Sequence, residues 1–187
     1  MAQPSAGRTR YQHRPLKNAD SIRLLYLQPS RFTDDIHVTL TEVSLSKTPS
    51  YEALSYVWGS PTANDPISCH GEELLVTANC IAAMRRLRHK RKRRVLWIDA
   101  ICIAQDSMNE RNHQVRLMGG VYSKATRVII WLGEETALSN SVISFLKDYH
   151  RILTRKWLLP FRGRLLDKKK GNSKVSTTMT EILHPKL

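Results

Sequence analysis

The chain has 187 residues, of which 41% are hydrophobic, and this is enough for one ordinary domain with a hydrophobic core. It is strongly basic, with 30 Lys and Arg against 16 Asp and Glu and a net charge of +14. No apolar run approaches the roughly 20 residues that cross a bilayer, and the basic N-terminus lacks the apolar segment of a secretory signal. We therefore expect a cytoplasmic protein with no membrane partner.

The N-terminal half shows the patterns of β-strands. An apolar run at 22–27 and an alternation of apolar and polar residues over 36–45 predict two neighbouring antiparallel strands. A further strand is predicted over 51–58, where the turn formers Gly59 to Pro61 end it. The segment 67–76 is interrupted by a His-Gly pair, which predicts a hairpin.

The following segments alternate between helix and strand. Thr77 is a suitable N-cap for a helix over 78–89, which leads into an apolar strand at 95–98. The spacing of apolar residues predicts a helix over 108–125 with one buried face. The next strand, 127–132, is nearly all apolar, as expected for a central parallel strand covered on both faces. This order implies a right-handed β-α-β crossover.

A further helix is predicted over 139–153, and no convincing periodicity follows from residue 162 onward. The pattern therefore divides the chain into a flexible N-terminus (1–15), one domain (16–155) and a basic C-terminal tail (156–187) that is disordered or truncated.

The positive charge is concentrated in that tail and in a run from Arg85 to Arg94, RRLRHKRKRR. A basic helix end is favoured by the helix dipole and is commonly just solvated. Nuclear localisation and nucleic-acid contact stay open as alternatives. Because no RNA-binding aromatic platform accompanies the charge, nucleic acid is not the favoured partner.

The three cysteines, Cys69, Cys80 and Cys102, are odd in number and lack the Cys and His spacing of a zinc site. We expect reduced, mostly buried thiols, and no residues stand out as metal ligands.

Acidic residues follow two of the predicted parallel strands. Ligands bind beyond the carboxyl ends of such strands in open α/β sheets. Asp99 follows the strand at 95–98, where a ligand-binding role and a structural role as a loop cap stay equally open. Glu134 and Glu135 follow the strand at 127–132 and either act on a ligand or begin a solvated helix.

Trp58 and Glu110 have competing structural explanations. Trp58, next to Gly59, could stack on a nucleotide base, but a tryptophan at a strand end is more often part of the core. For Glu110, an ion pair with Arg111 that caps the central helix is the favoured explanation. Neither a Rossmann fingerprint nor a P-loop is present.

Several segments occur in the order and spacing of one family. They read YEALSYVWG at 51–59, LWIDAICIAQ at 96–105, ER at 110–111, QV..M at 114–118, VYSKA at 121–125 and VIIWLG at 128–133. With IRLLYLQP and ISCHGEELLVTAN upstream, these blocks resemble the fungal heterokaryon incompatibility (HET) domain over residues 11–135. One departure is Ala104, where the family usually has Asn. The other is the basic tail, because members commonly continue into long C-terminal regions.

The resemblance implies a role in fungal non-self recognition, in which fusion of unlike cells leads to growth arrest and programmed cell death. The chain would act as a signalling module that associates with itself or with another incompatibility protein. The family also resembles the TIR (Toll/interleukin-1 receptor) fold. This implies an α/β, flavodoxin-like parallel sheet flanked by helices, with additional N-terminal strands.

By this analogy, residues 51–59, 96–99 and 128–133 contain the first, second and third parallel strands. Some TIR proteins cleave NAD, and NAD is therefore a candidate substrate. We expect that the chain requires no cofactor. Such cleavage needs a carboxylate for the oxocarbenium-like sugar and an aromatic surface for the base. The catalytic candidates are Glu110, Glu134 and Glu135, and the ligand-binding candidates are Ser55, Trp58, Gly59, Asp99 and Gln105.

Overall fold

The computed structural model describes residues 9–59, 65–134 and 181–182. The chain falls into two compact units, and all described residues except Glu134 belong to the first, Met1–Gly133 with Thr178–Leu183. The helix predicted over 139–153 and almost all of the basic tail lie outside the described residues. No helix in the described part of the chain is both long and apolar enough to span a membrane.

The described residues of the first unit form eight strands and three α-helices. The strands are β1 (Ser21–Leu27), β2 (His37–Ser44), β3 (Glu52–Tyr56), β4 (Asp65–Cys69), β5 (Glu72–Val76), β6 (Arg94–Trp97), β7 (Arg127–Trp131) and β8 (Glu181–Ile182). The helices are α1 (Ala78–Leu87), α2 (Asp99–Cys102) and α3 (Met108–Lys124), and a short 3-10 helix lies at Leu45–Lys47. The strands form one sheet in the order β5-β4-β2-β1-β6-β3-β7-β8.

The sheet is mixed rather than wholly parallel. β6, β3, β7 and β8 run parallel to one another, whereas β1 is antiparallel to both of its neighbours, β2 and β6. The α/β class and the antiparallel pair β1 and β2 are confirmed. The expected parallel strands form one half of the sheet, and the additional N-terminal strands form a mixed half, in which β2 pairs parallel to β4 and β4 pairs antiparallel to β5.

The segment β6-α3-β7 joins two parallel strands, as predicted, but the two strands are not neighbours. β3 lies between them and pairs with both. The expectation that the β7 strand is covered on both faces is wrong for Ile130, which is 36% exposed while Ile129 and Trp131 are buried. Successive side chains of a strand point to opposite faces, so Ile130 lies on the face opposite to that of Ile129 and Trp131.

Local signals place the turns and helix starts correctly. His70 and Gly71 both have positive φ, 53° and 86°, which is the backbone of a two-residue hairpin turn between β4 and β5. The Thr77 side chain accepts a hydrogen bond from the Cys80 N–H at 3.3 Å and caps α1. Ser107 caps α3 in the same way through the Glu110 N–H.

The core lies between the sheet and the helices and includes all three cysteines, which are free and buried. Burial raises the pKa of each thiol to about 12, so the thiols are protonated and unreactive near neutral pH. The predicted buried, reduced cysteines are confirmed.

The two glycines of α3 have different surroundings. A Cβ on Gly119 would meet no atom within 4 Å, whereas one on Gly120 would meet Leu45 Cδ2 at 3.4 Å. Only Gly120 therefore packs closely against a neighbouring element.

Candidate functional site

The carboxyl ends of β3, β6 and β7 lie at one edge of the sheet, because these strands are parallel and adjacent. We call this the carboxyl edge. Residues 57–59 follow β3, Asp99 follows β6 and Gly133 follows β7. Gly133 has a φ of +99°, a conformation that favours glycine and turns the chain after β7.

Asp99 is the first residue of α2 and is partly buried. Its carboxylate accepts hydrogen bonds from the Ala100 N–H at 2.7 Å and from the Trp58 indole N–H at 3.1 Å. Among the described residues, no cation forms an ion pair with it. Burial raises the pKa of Asp99, and these two hydrogen bonds only partly offset that effect.

Trp58 lies on the surface, so its expected place in the core is wrong. Its side chain is 40% exposed, and the indole N–H points at Asp99. The reason is the hydrogen bond to Asp99 at the end of the neighbouring strand, which holds the ring beside the carboxylate. An exposed tryptophan fixed by a hydrogen bond presents a flat apolar face to solvent.

Asn79, in the first turn of α1, holds the ends of β3 and β7 together. Its amide donates to the Val57 carbonyl at 2.5 Å, and its Oδ1 accepts from the Trp131 indole N–H at 2.9 Å. Gly59, which follows Trp58, has a φ of +80°, a conformation that favours glycine. Asn79 was not among the predicted site residues, although its position just after the helix cap was a usable signal.

A cavity of about 670 Å³ lies in front of Trp58 and α2. Its lining combines aromatic and apolar side chains with several hydrogen-bonding groups: Tyr11, His13, Trp58, Leu75, Thr77, Gln105, Asp106 and Ser107. We call this cavity the edge cleft. Its size suits a small organic ligand, since ligand sites are typically apolar clefts with a few polar groups.

The N-terminal segment forms one wall of the edge cleft. The Tyr11 N–H donates to the Glu73 carbonyl at 2.7 Å, and the Glu73 N–H donates to the Thr9 carbonyl at 2.9 Å. His13 Nε2 lies 2.7 Å from the Ile101 carbonyl, and burial lowers the pKa of this imidazole. Residues 9–13, within the N-terminus predicted to be flexible, are thus bonded to β5 and α2.

Of the two remaining ligand-binding candidates, Gln105 lines the edge cleft and Ser55 does not. The Gln105 amide donates to the Asp99 backbone carbonyl at 2.9 Å and lines the edge cleft. Ser55 is partly buried in β3 and, like Gly59 and Asp99, is not among the residues that line the cleft. Hydrogen bonds thus join Trp58 and Gln105 to Asp99, and of the five ligand-binding candidates Trp58 and Gln105 line the cleft.

Glu110 belongs to a buried ion pair. Its carboxylate accepts two hydrogen bonds from the Arg23 guanidinium, at 2.5 and 2.9 Å, and one from the Ala104 N–H at 2.8 Å. Burial by itself would raise the pKa of Glu110, but these bonds outweigh it and hold the pKa below its ordinary value. The expected partner Arg111 is exposed, so the predicted pair with Arg111 is corrected to a pair with Arg23.

Arg23 joins this ion pair to three other segments. Its guanidinium also donates to the Cys102 carbonyl at 3.0 Å and to the Arg14 carbonyl at 2.6 Å. The side chains of Arg23 and Glu110 are only 5% and 12% exposed. With these bonding positions filled, the Glu110 carboxylate has little capacity left for a ligand.

The remaining catalytic candidates lie after β7. Glu134 is exposed. Glu135 lies outside the described residues. Asp99 is thus the carboxylate that the described residues place beside an exposed aromatic ring at the carboxyl edge.

These features define an α/β domain with a ligand-sized cleft at the carboxyl ends of its parallel strands. A family model described as Heterokaryon incompatibility protein (HET) matches residues 51–181, well over half of the chain. The chain therefore belongs to the heterokaryon incompatibility family, and the resemblance drawn from its sequence blocks is confirmed.

The chain is also 41% identical over 141 residues to "Heterokaryon incompatibility protein 6, OR allele" of Neurospora crassa. This match covers 68% of the chain and 21% of that protein, so the chain spans about a fifth of the length of this relative. No solved structure matches the chain.

Proposed function

We propose that this chain acts in fungal heterokaryon incompatibility, as a signalling module that promotes growth arrest and programmed cell death. The observation that carries the proposal is the family match over residues 51–181, together with the similarity to a Neurospora crassa protein whose name states this role. The proposal concerns the part of such proteins that the chain matches. Its working surface is the carboxyl edge with the edge cleft.

The order of the parallel strands supports a TIR-like, flavodoxin-like arrangement as part of the proposal. By that analogy β3, β6 and β7 are the first, second and third strands, and in the sheet they lie in the order second, first, third. Flavodoxin-like sheets have this order and bind ligands where the first and third strands diverge. In this chain that point lies between Val57 and Gly133.

Self-association is the favoured mode of signalling. Tyr56 pairs with Trp131, so the next residues, Val57 and Leu132, follow neighbouring strands at the carboxyl edge. These two side chains are 76% and 66% exposed. Exposed apolar side chains that are grouped in this way favour a protein partner, and we propose a second copy of the chain.

Expression of the whole chain in a fungal host, with viability as the readout, tests the proposed role. We expect wild type to reduce viability. Trp58→Ala should lose most of this effect, because it removes the exposed ring beside Asp99. Val115→Asp changes a more exposed side chain on α3, 55% exposed against 40% for Trp58, and should keep the effect. Full viability with abundant, folded wild-type protein would contradict the proposal.

NAD cleavage is the second candidate function, and one observation favours it. Trp58 offers a face for a base while Asp99 offers a desolvated carboxylate that could bind ribose hydroxyls. We therefore propose Asp99 as the ligand-binding carboxylate instead of Glu110, whose carboxylate is bonded to Arg23. No nicotinamide release from NAD by concentrated, self-associated protein would refute the enzyme proposal without affecting the signalling proposal.

A further inference from the structure

The run of basic residues between α1 and β6 is anchored at both ends. Arg88 is only 8% exposed, and its guanidinium donates to the carbonyls of Phe32 at 3.0 Å, Asp34 at 2.9 Å and Asp35 at 2.7 Å, as well as to that of Arg31. Arg94 forms an ion pair with Glu52 and donates to the Leu87 carbonyl at 2.9 Å. The expectation of a merely solvated basic helix end is thus wrong for these two arginines.

Between the anchors, residues 89–93 form a compact exposed loop. The Nδ1 atom of His89 accepts hydrogen bonds from the backbone N–H groups of Arg91 and Lys92 at 3.0 and 3.1 Å. The Arg93 guanidinium lies 4.5 Å from the centre of the Tyr26 ring. The loop is therefore shaped by its own hydrogen bonds before any partner binds.

Within the described part of the chain, no acidic side chain forms an ion pair with the cations of this loop. Lys90, Arg91, Lys92 and Arg93 are exposed. The ion pairs found among the described residues involve Arg23, Arg94 and Arg127 instead. The basic loop thus retains its charge for an external anion.

Arg88 fixes a second loop, residues 31–35, beside the first, because its guanidinium binds the carbonyls of that loop. Arg31 and Phe32 are exposed there, Phe32 to 55%. The Asp34 carboxylate is turned into its own loop, where it accepts bonds from the Ser30 hydroxyl and the Arg31 N–H. Asp35 is the other acid of this loop and is exposed. We call the two loops together the basic edge.

The basic edge lies away from the carboxyl edge. Leu27 at the end of β1 pairs with Arg94 at the start of β6, so the loops after β1 and before β6 meet at the amino ends of the parallel strands. Trp58 and Asp99 follow the opposite ends of those strands. A ligand on the basic edge would therefore leave the edge cleft free.

We propose that the basic edge binds single-stranded nucleic acid. Five exposed cations, Arg31, Lys90, Arg91, Lys92 and Arg93, would bind successive phosphates and release counterions. Phe32 would stack on a base, since an aromatic ring beside a basic groove is the usual platform for single strands. An anionic bilayer fits less well, because Phe32 is the one large apolar side chain exposed in the described residues of these loops.

The test is binding of the whole chain to a fluorescein-labelled oligothymidylate, followed by anisotropy between about 50 and about 200 mM salt. With five phosphate contacts, the logarithm of the binding constant should fall against the logarithm of salt with a slope of up to about −3.5. The triple variant Lys90→Gln, Arg91→Gln, Lys92→Gln should make this slope about 2 less steep and weaken binding at least ~30-fold at low salt.

A matched control removes the same charge elsewhere. The triple variant Arg10→Gln, Arg14→Gln, Lys17→Gln changes the N-terminal segment. The bonds of this segment run to β5, to Glu42 of β2 and to Arg23 near the start of β1, and not to the end of β1. It should alter binding less than threefold. Phe32→Ala should weaken binding about tenfold and leave the salt slope unchanged, because stacking releases no counterions.

Equal weakening by the two triple variants would overturn the proposal, since it would mean attraction by net charge alone. Binding to vesicles of anionic lipid without binding to the oligonucleotide would also overturn it. Neither result would bear on cell death, which is measured by viability.

Discussion

Glu110 and Asp99 lie within one short stretch of sequence, yet their surroundings differ sharply. Glu110 accepts three hydrogen bonds, two of them from a buried guanidinium, and its pKa lies below the ordinary value. Asp99 accepts bonds from an amide and an indole, and burial raises its pKa. A carboxylate that is paired with a cation stabilises the fold, whereas a carboxylate that is buried without one suits a binding site.

The largest expected effect comes from breaking the paired carboxylate. Glu110→Gln leaves the buried Arg23 charge without a counterion, which should lower the free energy of unfolding by about 3–4 kcal/mol. Urea denaturation measures this. Glu134→Gln, at an exposed glutamate, should change it by less than about 0.5 kcal/mol. A loss below about 1 kcal/mol for Glu110→Gln would show that the ion pair of Arg23 and Glu110 does little to stabilise the fold.

Acid should reproduce part of that loss in the wild type. Because the folded-state pKa of Glu110 lies below its ordinary value of 4.5, its contribution is present above pH 4.5 and is lost as the pH falls through the folded-state pKa. Stability should therefore decline more steeply below pH 4.5 in wild type than in Glu110→Gln. Parallel curves of unfolding free energy against pH would contradict this assignment.

A smaller effect is expected at the other carboxylate. Trp58→Phe keeps a ring but removes the indole N–H that Asp99 accepts, so the free energy of unfolding should fall by about 1 kcal/mol or less. The pKa of Asp99 should rise further, because a hydrogen bond to the charged form is lost. NMR titration of the Asp99 carboxyl measures this shift. An unchanged pKa would mean that the indole does not hold the carboxylate.

Local sequence signals predicted much of the fold. Alternating residues predicted the pair β1 and β2, the His-Gly pair predicted the β4-β5 hairpin, and Thr77 predicted the start of α1. Each of these depends on residues that are close in the chain. The position of β3 between β6 and β7 could not be read in the same way, because strand order depends on packing between distant segments.

The site was predictable only in part. The rule that ligands bind at carboxyl ends of parallel strands pointed to Asp99, Glu134 and Glu135, but it did not predict Trp58 as the neighbour of Asp99. The partner of Glu110 was missed because Arg23 is 87 residues away. Trp58 was expected in the core because the sequence does not reveal its hydrogen bond to Asp99, which lies 41 residues away. Sequence patterns identify which residue types are present. Contacts between residues that are distant in the chain decide which carboxylate is paired with a cation.

Asp99→Asn tests the central claim most directly, because it keeps the shape of the side chain and removes its charge. Burial disfavours the charged form, so stability due to Asp99 falls as the pH rises from 3.8 through the raised folded-state pKa. The neutral variant should therefore unfold at an equal or slightly higher temperature at neutral pH.

The decisive measurement is viability of fungal cells that contain equal amounts of wild-type or variant chain. We predict that folded Asp99→Asn no longer reduces viability, and a variant as toxic as wild type would contradict the assignment of the carboxyl edge as the functional site.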